Sequence, residues 1–361
     1  MKALILAGGF GTRLRPISCS RPKTLFPIVN KPLLEGIFER LSENNIMEAI
    51  MAVNSLTEFY IRKQKIRKHG LKVRYSIDPP KTPLGTAGPI KNAEKLIGKT
   101  DSFLVLNGDI FADIKYKEII KTHKEKKALA TIALHEVKDP SRYGCVEITE
   151  DKRIKKFIEK PKKGSAPTNL INAGIYVLDP KVLQYIEKSK SVSMEREIFP
   201  KLVEEKKMFG HCMQGLWIDI GKPTEYLEAN KILLKAHYNN KKYDNKNLKI
   251  KNYVAIDTGV KIGEKTVIGP YAVIGKQVAI GKNVQIIESV ILSDAEIQDG
   301  SKINGSIIGE GVFIGKNVKI GNGCIIGDCA KIRDNVSLPE GAAVCPGKEI
   351  SENILKSNIV C

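Results

Sequence analysis

Three groups of residues in this sequence have types and spacings suited to chemistry on phosphates. The first is Ala7-Gly8-Gly9-Phe10-Gly11-Thr12-Arg13, which follows directly on the apolar run from Ala3. Glycines lack a Cβ, so the backbone can turn sharply and bring its N–H groups against a ligand. The second is Arg21-Pro22-Lys23, which adds cations close behind the turn. Amides that cradle oxygens, with guanidinium and ammonium groups to neutralise them, suit a phosphate chain. The third is a pair of aspartates, Asp109 and Asp219, each placed directly after an apolar strand-like run. In open α/β sheets ligands bind beyond the carboxyl ends of strands. Two carboxylates there can hold Mg²⁺, a hard cation that takes oxygen ligands and also bridges substrate phosphates. Each group also has a plainer reading, because glycine clusters form turns and aspartates cap them. The loop is neither a Walker loop nor a G-x-G-x-x-G dinucleotide turn.

A protein nucleophile is missing. The sequence has no G-x-S-x-G, and no Cys/His pair at a recognisable spacing. A phosphate ester needs none, because its oxygen is already anionic near neutral pH. Such a reaction asks for alignment, charge neutralisation and a metal.

The elements that must position these residues follow from the hydrophobic periodicity. Over residues 1–237 short apolar strands alternate with helical spacings, which predicts a layered α/β domain. Strands are expected at 3–7, 49–53, 72–77, 103–106, 129–136, 144–149, 153–158, 170–178 and 209–218. Helices are expected at 33–44, 56–69, 180–188, 194–206 and 223–237, with another ending near Ile97. Residues 238–252 are polar and rich in Asn and Lys, and read as a linker. From Ile256 an aliphatic residue recurs every six positions, through Ile262, Ile268, Ile274, Ile280, Ile286 and Leu292. After a five-residue step the column resumes at Ile297 and Ile303, and after another it runs from Ile308 to Val344. Glycine follows the aliphatic residue in many repeats. This hexapeptide pattern predicts a parallel β-helix over 253–346, with a tail at 347–361.

Composition narrows the class. The 361 residues carry 59 basic against 40 acidic side chains, a net charge of +19, and nearly all of that surplus lies in residues 1–237. Aromatics are 6% and the lysines are scattered, so a nucleic-acid surface is not expected. No apolar run is long enough to span a membrane, and no leader-like segment opens the chain. The seven cysteines form no C-x-x-C, which points to free thiols in a reducing cytoplasm. None of the five histidines (69, 123, 135, 211, 237) lies in the repeat, which argues against acyl transfer there. Self-association is the expected use of the flat-sided β-helix, giving a homo-oligomer.

The string Gly8-Gly9-Phe10-Gly11-Thr12-Arg13-Leu14 with Arg21-Pro22-Lys23 resembles the signature of the sugar-1-phosphate nucleotidylyltransferases. So do Pro83-Leu84-Gly85-Thr86-Ala87-Gly88-Pro89, Leu106-Asn107-Gly108-Asp109, Ser141-Arg142-Tyr143-Gly144, Phe157-Ile158-Glu159-Lys160-Pro161, Ile171-Asn172-Ala173-Gly174 and Trp217-Ile218-Asp219. The resemblance covers almost the whole chain. It implies a Rossmann-like nucleotidyltransferase domain with a mixed central sheet, followed by a left-handed parallel β-helix. The substrates it implies are a nucleoside triphosphate and a sugar 1-phosphate. Ala7, Gly8, Gly9, Gly11 and Thr12 would hold the nucleotide, with Arg13 and Lys23 as catalytic cations at the reacting phosphates. Gly85 and Thr86 would line the base pocket. Gly144, Glu159 and Asn172 would hold the sugar and Lys160 its phosphate, and Asp109 and Asp219 would bind Mg²⁺. Within the family the sequence most resembles the branch that joins GTP to mannose 1-phosphate. Thr82 departs from it, since an acidic residue often stands there. Thymidylyl or uridylyl transfer to glucose 1-phosphate, and a non-catalytic regulatory subunit, are the alternatives.

Overall fold

The computed structural model describes all residues except 10, 80–82, 239–242, 245–247 and 356–358. Thr82, Phe10 and much of the expected linker lie outside the described residues. Two compact units emerge. One comprises Met1–Gly9 with Leu33–Asp219, the other Phe10–Pro32 with Ile220–Cys361.

The first unit is built on a nine-stranded mixed sheet. Its strands are β1 (Lys2–Leu6), β2 (Glu48–Val53), β3 (Lys72–Ile77), β4 (Phe103–Asn107), β5 (Ala130–Glu136), β6 (Gly144–Ile148), β7 (Ile154–Glu159), β8 (Leu170–Leu178) and β9 (Met208–Cys212). The order is β7-β6-β8-β4-β1-β2-β3, with β5 on β8 and β9 on β5. β4, β1, β2 and β3 are parallel, and β8 runs antiparallel to β4. The parallel strands read as continuous apolar runs because both faces are covered: Ala3, Leu4, Ile5, Phe103, Leu104 and Val105 are wholly buried. Asn54 caps the helix Ser55–Lys63 by accepting from the Thr57 N–H.

Departures from the expected elements have local causes. A helix at Tyr116–Lys126, absent from the expected set, buries Tyr116, Ile119 and His123 behind a lysine-rich surface. Residues 180–185 form a 3₁₀ turn that starts at Pro180, with Asp179 accepting from the Lys181 N–H. The expected strand 209–218 is two strands, Met208–Cys212 and Trp217–Asp219, separated at Gly215 (φ 108°). The second pairs with Ile110–Ala112 instead of with the main sheet.

The second unit contains the β-helix. Among the described residues three sheets of seven, seven and six strands form its faces, parallel except where Tyr243–Asp244 runs antiparallel to Leu248–Ile250, in the left-handed arrangement that the family resemblance implies. Coil on coil, Ile256, Ile274, Ile291, Ile308, Ile326 and Val344 stand in one column. The first short step therefore falls between Ile286 and Ile291, not after Leu292. Ile291 takes the wholly buried column position, so the sequence reading was one residue out there. Parallel pairing continues past 346, to Glu349–Ile350 and to Ile359–Val360 beside Ala343–Val344. That last pairing brings Cys361 to Cys345, and the two are disulfide-bonded with Cα atoms 4.8 Å apart. Five cysteines are free thiols, so the expectation of seven is corrected at this pair. Its 16-residue separation gave no local signal.

The same unit includes residues 11–32. Three 3₁₀ turns, Thr12–Leu14, Ile17–Cys19 and Lys23–Leu25, precede a hairpin whose strands are Pro27–Ile28 and Lys31–Pro32. Its tip, Val29-Asn30, has φ of 47° and 65°. That is an uncommon backbone for a β-branched residue, so something must hold it. Asn230 does so: its Oδ1 accepts from the Val29 N–H at 2.8 Å, from within the helix Pro223–His237. Tyr226 of the same helix is wholly buried, lies edge-on to Phe26, and donates its hydroxyl to the Pro27 carbonyl. Among the described residues, no helix is long and apolar enough to cross a membrane.

Candidate active site

The carboxyl ends of four parallel strands form a continuous polar edge in the first unit. Ala7 and Gly8 leave β1, Asn54 leaves β2, Asp78 leaves β3, and Gly108-Asp109 leaves β4. The Gly108 N–H donates to the Leu6 carbonyl at 2.8 Å, and Asn54 Nδ2 donates to the Gly8 carbonyl at 2.8 Å. Asp78 Oδ2 lies 3.1 Å from where a Cβ on Gly8 would sit. This is the switch-point geometry at which open α/β sheets bind ligands. Gly9 has open space beside it.

Asp109 and Asp219 come together through the small antiparallel pair. Asp219 stands opposite Ile110, the residue after Asp109. Both side chains are half-buried. Two carboxylates are hard oxygen donors of the kind that Mg²⁺ takes together with phosphate oxygens. Among the described residues no group of three His, Cys, Asp or Glu could hold a metal without substrate.

A second cluster forms where β6, β7 and β8 adjoin. Gly144 stands opposite Glu159, and Ile171 opposite Cys145. A Cβ on Gly144 would lie 2.5 Å from Phe157 Cζ and 3.1 Å from Glu159 Oε2, so only glycine fits over that carboxylate. Asn172 Nδ2 donates to the Tyr176 hydroxyl at 3.1 Å, and its Oδ1 accepts from the Gly174 N–H at 2.9 Å. Lys160 is exposed, with Nζ 3.7 Å from Glu159 Oε1. Burial pushes the Glu159 carboxyl above its ordinary range, the Glu195 charge adds to that, and Lys160 and Arg196 oppose it.

Glu195 is a residue that the sequence reading missed. Its Oε2 accepts from Thr86 Oγ1 at 2.6 Å and from Ser193 Oγ at 2.8 Å, and the Met194 N–H donates to Thr86 Oγ1 at 2.9 Å. It sits in a single π-helical turn, Met194–Ile198. Such turns gather at functional sites. Thr86 is thereby tied to the Glu159 cluster. Gly85, beside it, has φ of 70° and lies so close to Val192 that a Cβ would fall 2.3 Å from its carbonyl oxygen. An aromatic group flanks the cluster: Trp217 stacks on His135, meets Tyr143 edge-on, and donates Nε1–H to the Ala173 carbonyl at 3.0 Å.

Asp78 was missed as well, because the strand before it, Lys72–Ile77, alternates polar and apolar residues. It is an aspartate directly after a strand. Burial pushes its carboxyl up to about 6, against a long hydrogen bond from Asn92.

In the second unit Gly11, Thr12, Arg13 and Lys23 come together. Gly11 has φ of 59°, and its Cβ position is 3.6 Å from Lys23 Cβ. Thr12 and Arg13 project from the exposed first 3₁₀ turn. Lys23 is buried, with 9% of its surface exposed.

Two family models match the chain, one on either side of the segment that follows the helix Pro223–His237. A model described as Nucleotidyl transferase matches residues 2–236, and one described as GMPPB C-terminal domain matches 250–360. The chain is 39% identical over 241 residues to mannose-1-phosphate guanyltransferase 2 of Candida glabrata, covering 65% of each chain. It is 39% identical over 229 residues to the mannose-1-phosphate guanylyltransferase catalytic subunit beta of Xenopus tropicalis, covering 63% of each. These matches span just under two thirds of the relatives' length. Among solved structures, HddC from Yersinia pseudotuberculosis is 31% identical with a TM-score of 0.56, covering 64% of this chain and 99% of that one. HddC has also been crystallised in complex with GMP-PN. With the amino-terminal 235 residues matched from the first strand to the helix Pro223–His237, the chain belongs to the nucleotidyl transferase family.

Proposed function

We propose that this protein transfers a guanylyl group from GTP to mannose 1-phosphate, yielding GDP-mannose and pyrophosphate. An anionic oxygen of the sugar phosphate attacks the α-phosphorus. The bond from that phosphorus to the α–β bridging oxygen breaks, and pyrophosphate leaves with the electron pair. No side chain has to act as nucleophile or remove a proton.

The observation that carries the reading is the meeting of Gly144, Glu159 and Asn172 on adjacent strands, with β8 packed antiparallel on β4. Glu159 and Asn172 offer acceptors and a donor suited to sugar hydroxyls, and Gly144 keeps the space over Glu159 open. Lys160, exposed beside them, would neutralise the sugar phosphate. Ala7, Gly8, Gly9, Gly11 and Thr12 would hold the nucleotide by backbone amides, and Arg13 and Lys23 would take charge from its phosphates. Gly85 and Thr86 would shape the base pocket. Asp78 supports guanine: the Watson–Crick edge of that base presents two neighbouring N–H donors, and a carboxylate accepts from both. Asp109 and Asp219 would hold Mg²⁺, which when bound supplies charge neutralisation at the reacting and departing phosphates.

A homo-oligomer assembled through the β-helix belongs to the same proposal, and so does a cytoplasmic location, argued from the five free thiols. The test is pyrophosphate release with GTP, UTP, dTTP, ATP and CTP against mannose 1-phosphate and glucose 1-phosphate, with and without Mg²⁺. GTP with mannose 1-phosphate should give the highest kcat/KM. A preference for dTTP or UTP with glucose 1-phosphate would replace the reading by its alternative, and no turnover with any pair would leave a non-catalytic subunit.

A further inference from the structure

Residues 20–30 are laid along one corner of the β-helix. At one end Ser20 Oγ donates to Asp328 Oδ2 at 2.6 Å, and Arg21 Nη2 contacts Asp328 Oδ2 at 2.8 Å and Glu310 Oε2 at 2.6 Å. At the other end Asn30 Nδ2 donates to the Ile274 carbonyl at 2.9 Å. Ile274, Ile308 and Ile326 belong to one face, and Glu310 and Asp328 sit two residues beyond the last two of these, where successive coils turn. Asp328 is itself fixed, since its Oδ1 accepts from the Glu310 N–H at 2.8 Å.

The Arg21 side chain is 10% exposed and that of Asp328 11%, whereas Glu310 is 47% exposed. A buried guanidinium is costly to hold, so a pair placed here needs a reason. Burial opposes the Arg21 charge, and Asp328 and then Glu310 outweigh it. Arg21 Nε remains without a hydrogen-bond partner among the described residues. Both ion pairs therefore run through one nitrogen and do not use the guanidinium fork. Two residues on, Lys23 opens a 3₁₀ turn held by the Leu25 N–H on the Pro22 carbonyl and the Phe26 N–H on the Lys23 carbonyl. Pro22 between them has a fixed φ of −62°, so what holds Arg21 also orients Lys23.

We propose that Arg21 and Asp328 are positioning residues, through which the β-helix acts as a splint that sets Lys23 for the transfer reaction. The proposal rests on the reading of Lys23 as a phosphate-binding cation. It gives the β-helix a part in turnover that does not depend on assembly.

The experiment combines steady-state pyrophosphate release with amide hydrogen exchange on the full chain, for Asp328→Asn, Arg21→Met, Arg21→Lys and the double variant Arg21→Met/Asp328→Asn. Asp328→Asn keeps the acceptor for the Glu310 N–H, removes the charge and turns a donor toward Ser20 Oγ and Arg21 Nη2. It and Arg21→Met should lower kcat about ten-fold or more, with KM for GTP within roughly three-fold. Arg21→Lys should recover part of the loss, because one nitrogen makes both contacts. The double variant should be no worse than the worse single, since each removes the same brace. Independently of turnover, the Leu25 and Phe26 amides should exchange about ten-fold faster in Asp328→Asn. Unchanged exchange would overturn the splint. Faster exchange and a lower melting temperature with unchanged kcat would reduce the pair to a purely structural one. A wild-type protein that turned over no substrate pair would remove the reading of Lys23, and the exchange data would still decide whether the splint exists.

Discussion

Replacing Asp78 by asparagine tests the base preference at one atom pair. Its carboxylate lies against Gly8 at the carboxyl edge of the sheet, 3.1 Å from that glycine's Cβ position. A carboxylate so placed would repel a phosphate, and suits the hydrogen-donating edge of a base. Guanine offers N1–H and the N2 amino group side by side, and the two carboxylate oxygens can accept both. Asparagine keeps one acceptor and turns a donor toward the second N–H. The loss is that of a charge-assisted hydrogen bond with its partner left unpaired, about 2–3 kcal/mol, or roughly 30- to 150-fold in kcat/KM for GTP.

The clean assay compares GTP with ITP, which retains N1–H and lacks the amino group. The native protein should favour GTP, and Asp78→Asn should bring the two within about three-fold. The pH dependence has a fixed sign. The folded pKa of Asp78 is raised to about 6, so GTP recognition is complete above that value and fades as pH falls through it and the carboxyl takes up a proton. Stability runs the other way. A carboxyl that binds its proton more tightly when folded makes the folded state relatively more stable as pH drops from about 6 toward its unfolded value. Asp78→Asn should therefore keep or raise Tm at neutral pH while losing base selectivity. A variant that still discriminates GTP from ITP as the native chain does would refute the assignment, and a lowered Tm would point to a packing role.

Gly144→Ala places a methyl 2.5 Å from Phe157 and 3.1 Å from the Glu159 carboxylate, so KM for the sugar phosphate should rise by about ten-fold or more while KM for GTP moves little; equal changes in both would show a collapse of β6–β7 instead. Asp109→Asn should cut turnover by roughly 10²-fold with an unaltered far-UV spectrum, because it weakens metal-held charge stabilisation, and near-native turnover would exclude the metal role. Glu195→Gln should change the ratio of kcat/KM between mannose 1-phosphate and glucose 1-phosphate by about five-fold or more, since it removes the charge beside Glu159 and weakens the tie to Thr86; an unchanged ratio would confine Glu195 to bracing the loop. Light scattering should give a mass of at least about twice 40.0 kDa, and a single-chain mass would remove the assembly role of the β-helix.

What the sequence made legible was what periodicity and adjacency encode. The six-residue column announced the β-helix because each coil repeats the same burial, and the one misplacement, Leu292 for Ile291, fell where two adjacent aliphatics compete for one slot. Strand ends announced Asp109 and Asp219 because an apolar run terminated by a carboxylate is visible locally. Asp78 also follows a strand, but that strand, Lys72–Ile77, alternates polar and apolar residues, so no apolar run marked it. Glu195 could not be found this way. Its partners Thr86 and Glu159 lie far away in sequence, and its own segment reads as ordinary amphipathic helix. The Cys345–Cys361 bond was invisible for the same reason, since it depends on where the final strand lands on the last coil.

The division of the glycine-rich loop has a consequence for how variants will behave. Ala7, Gly8 and Gly9 fold with the sheet, whereas Gly11, Thr12, Arg13 and Lys23 fold with the helix Pro223–His237 and the β-helix. A single uninterrupted motif in the sequence is thus held by two separate sets of packing forces. Substitutions at the sheet edge should act through ligand contacts, with KM as the first quantity to move. Substitutions at the β-helix corner, more than 280 residues away from Arg21, reach the same motif through Asp328 and Glu310 and should act first on kcat. Substitution of the corner residues Glu310 and Asp328 therefore separates the two routes. Changes at Asp328, where the burial is, should dominate over those at the half-exposed Glu310, whose ion pair competes with water.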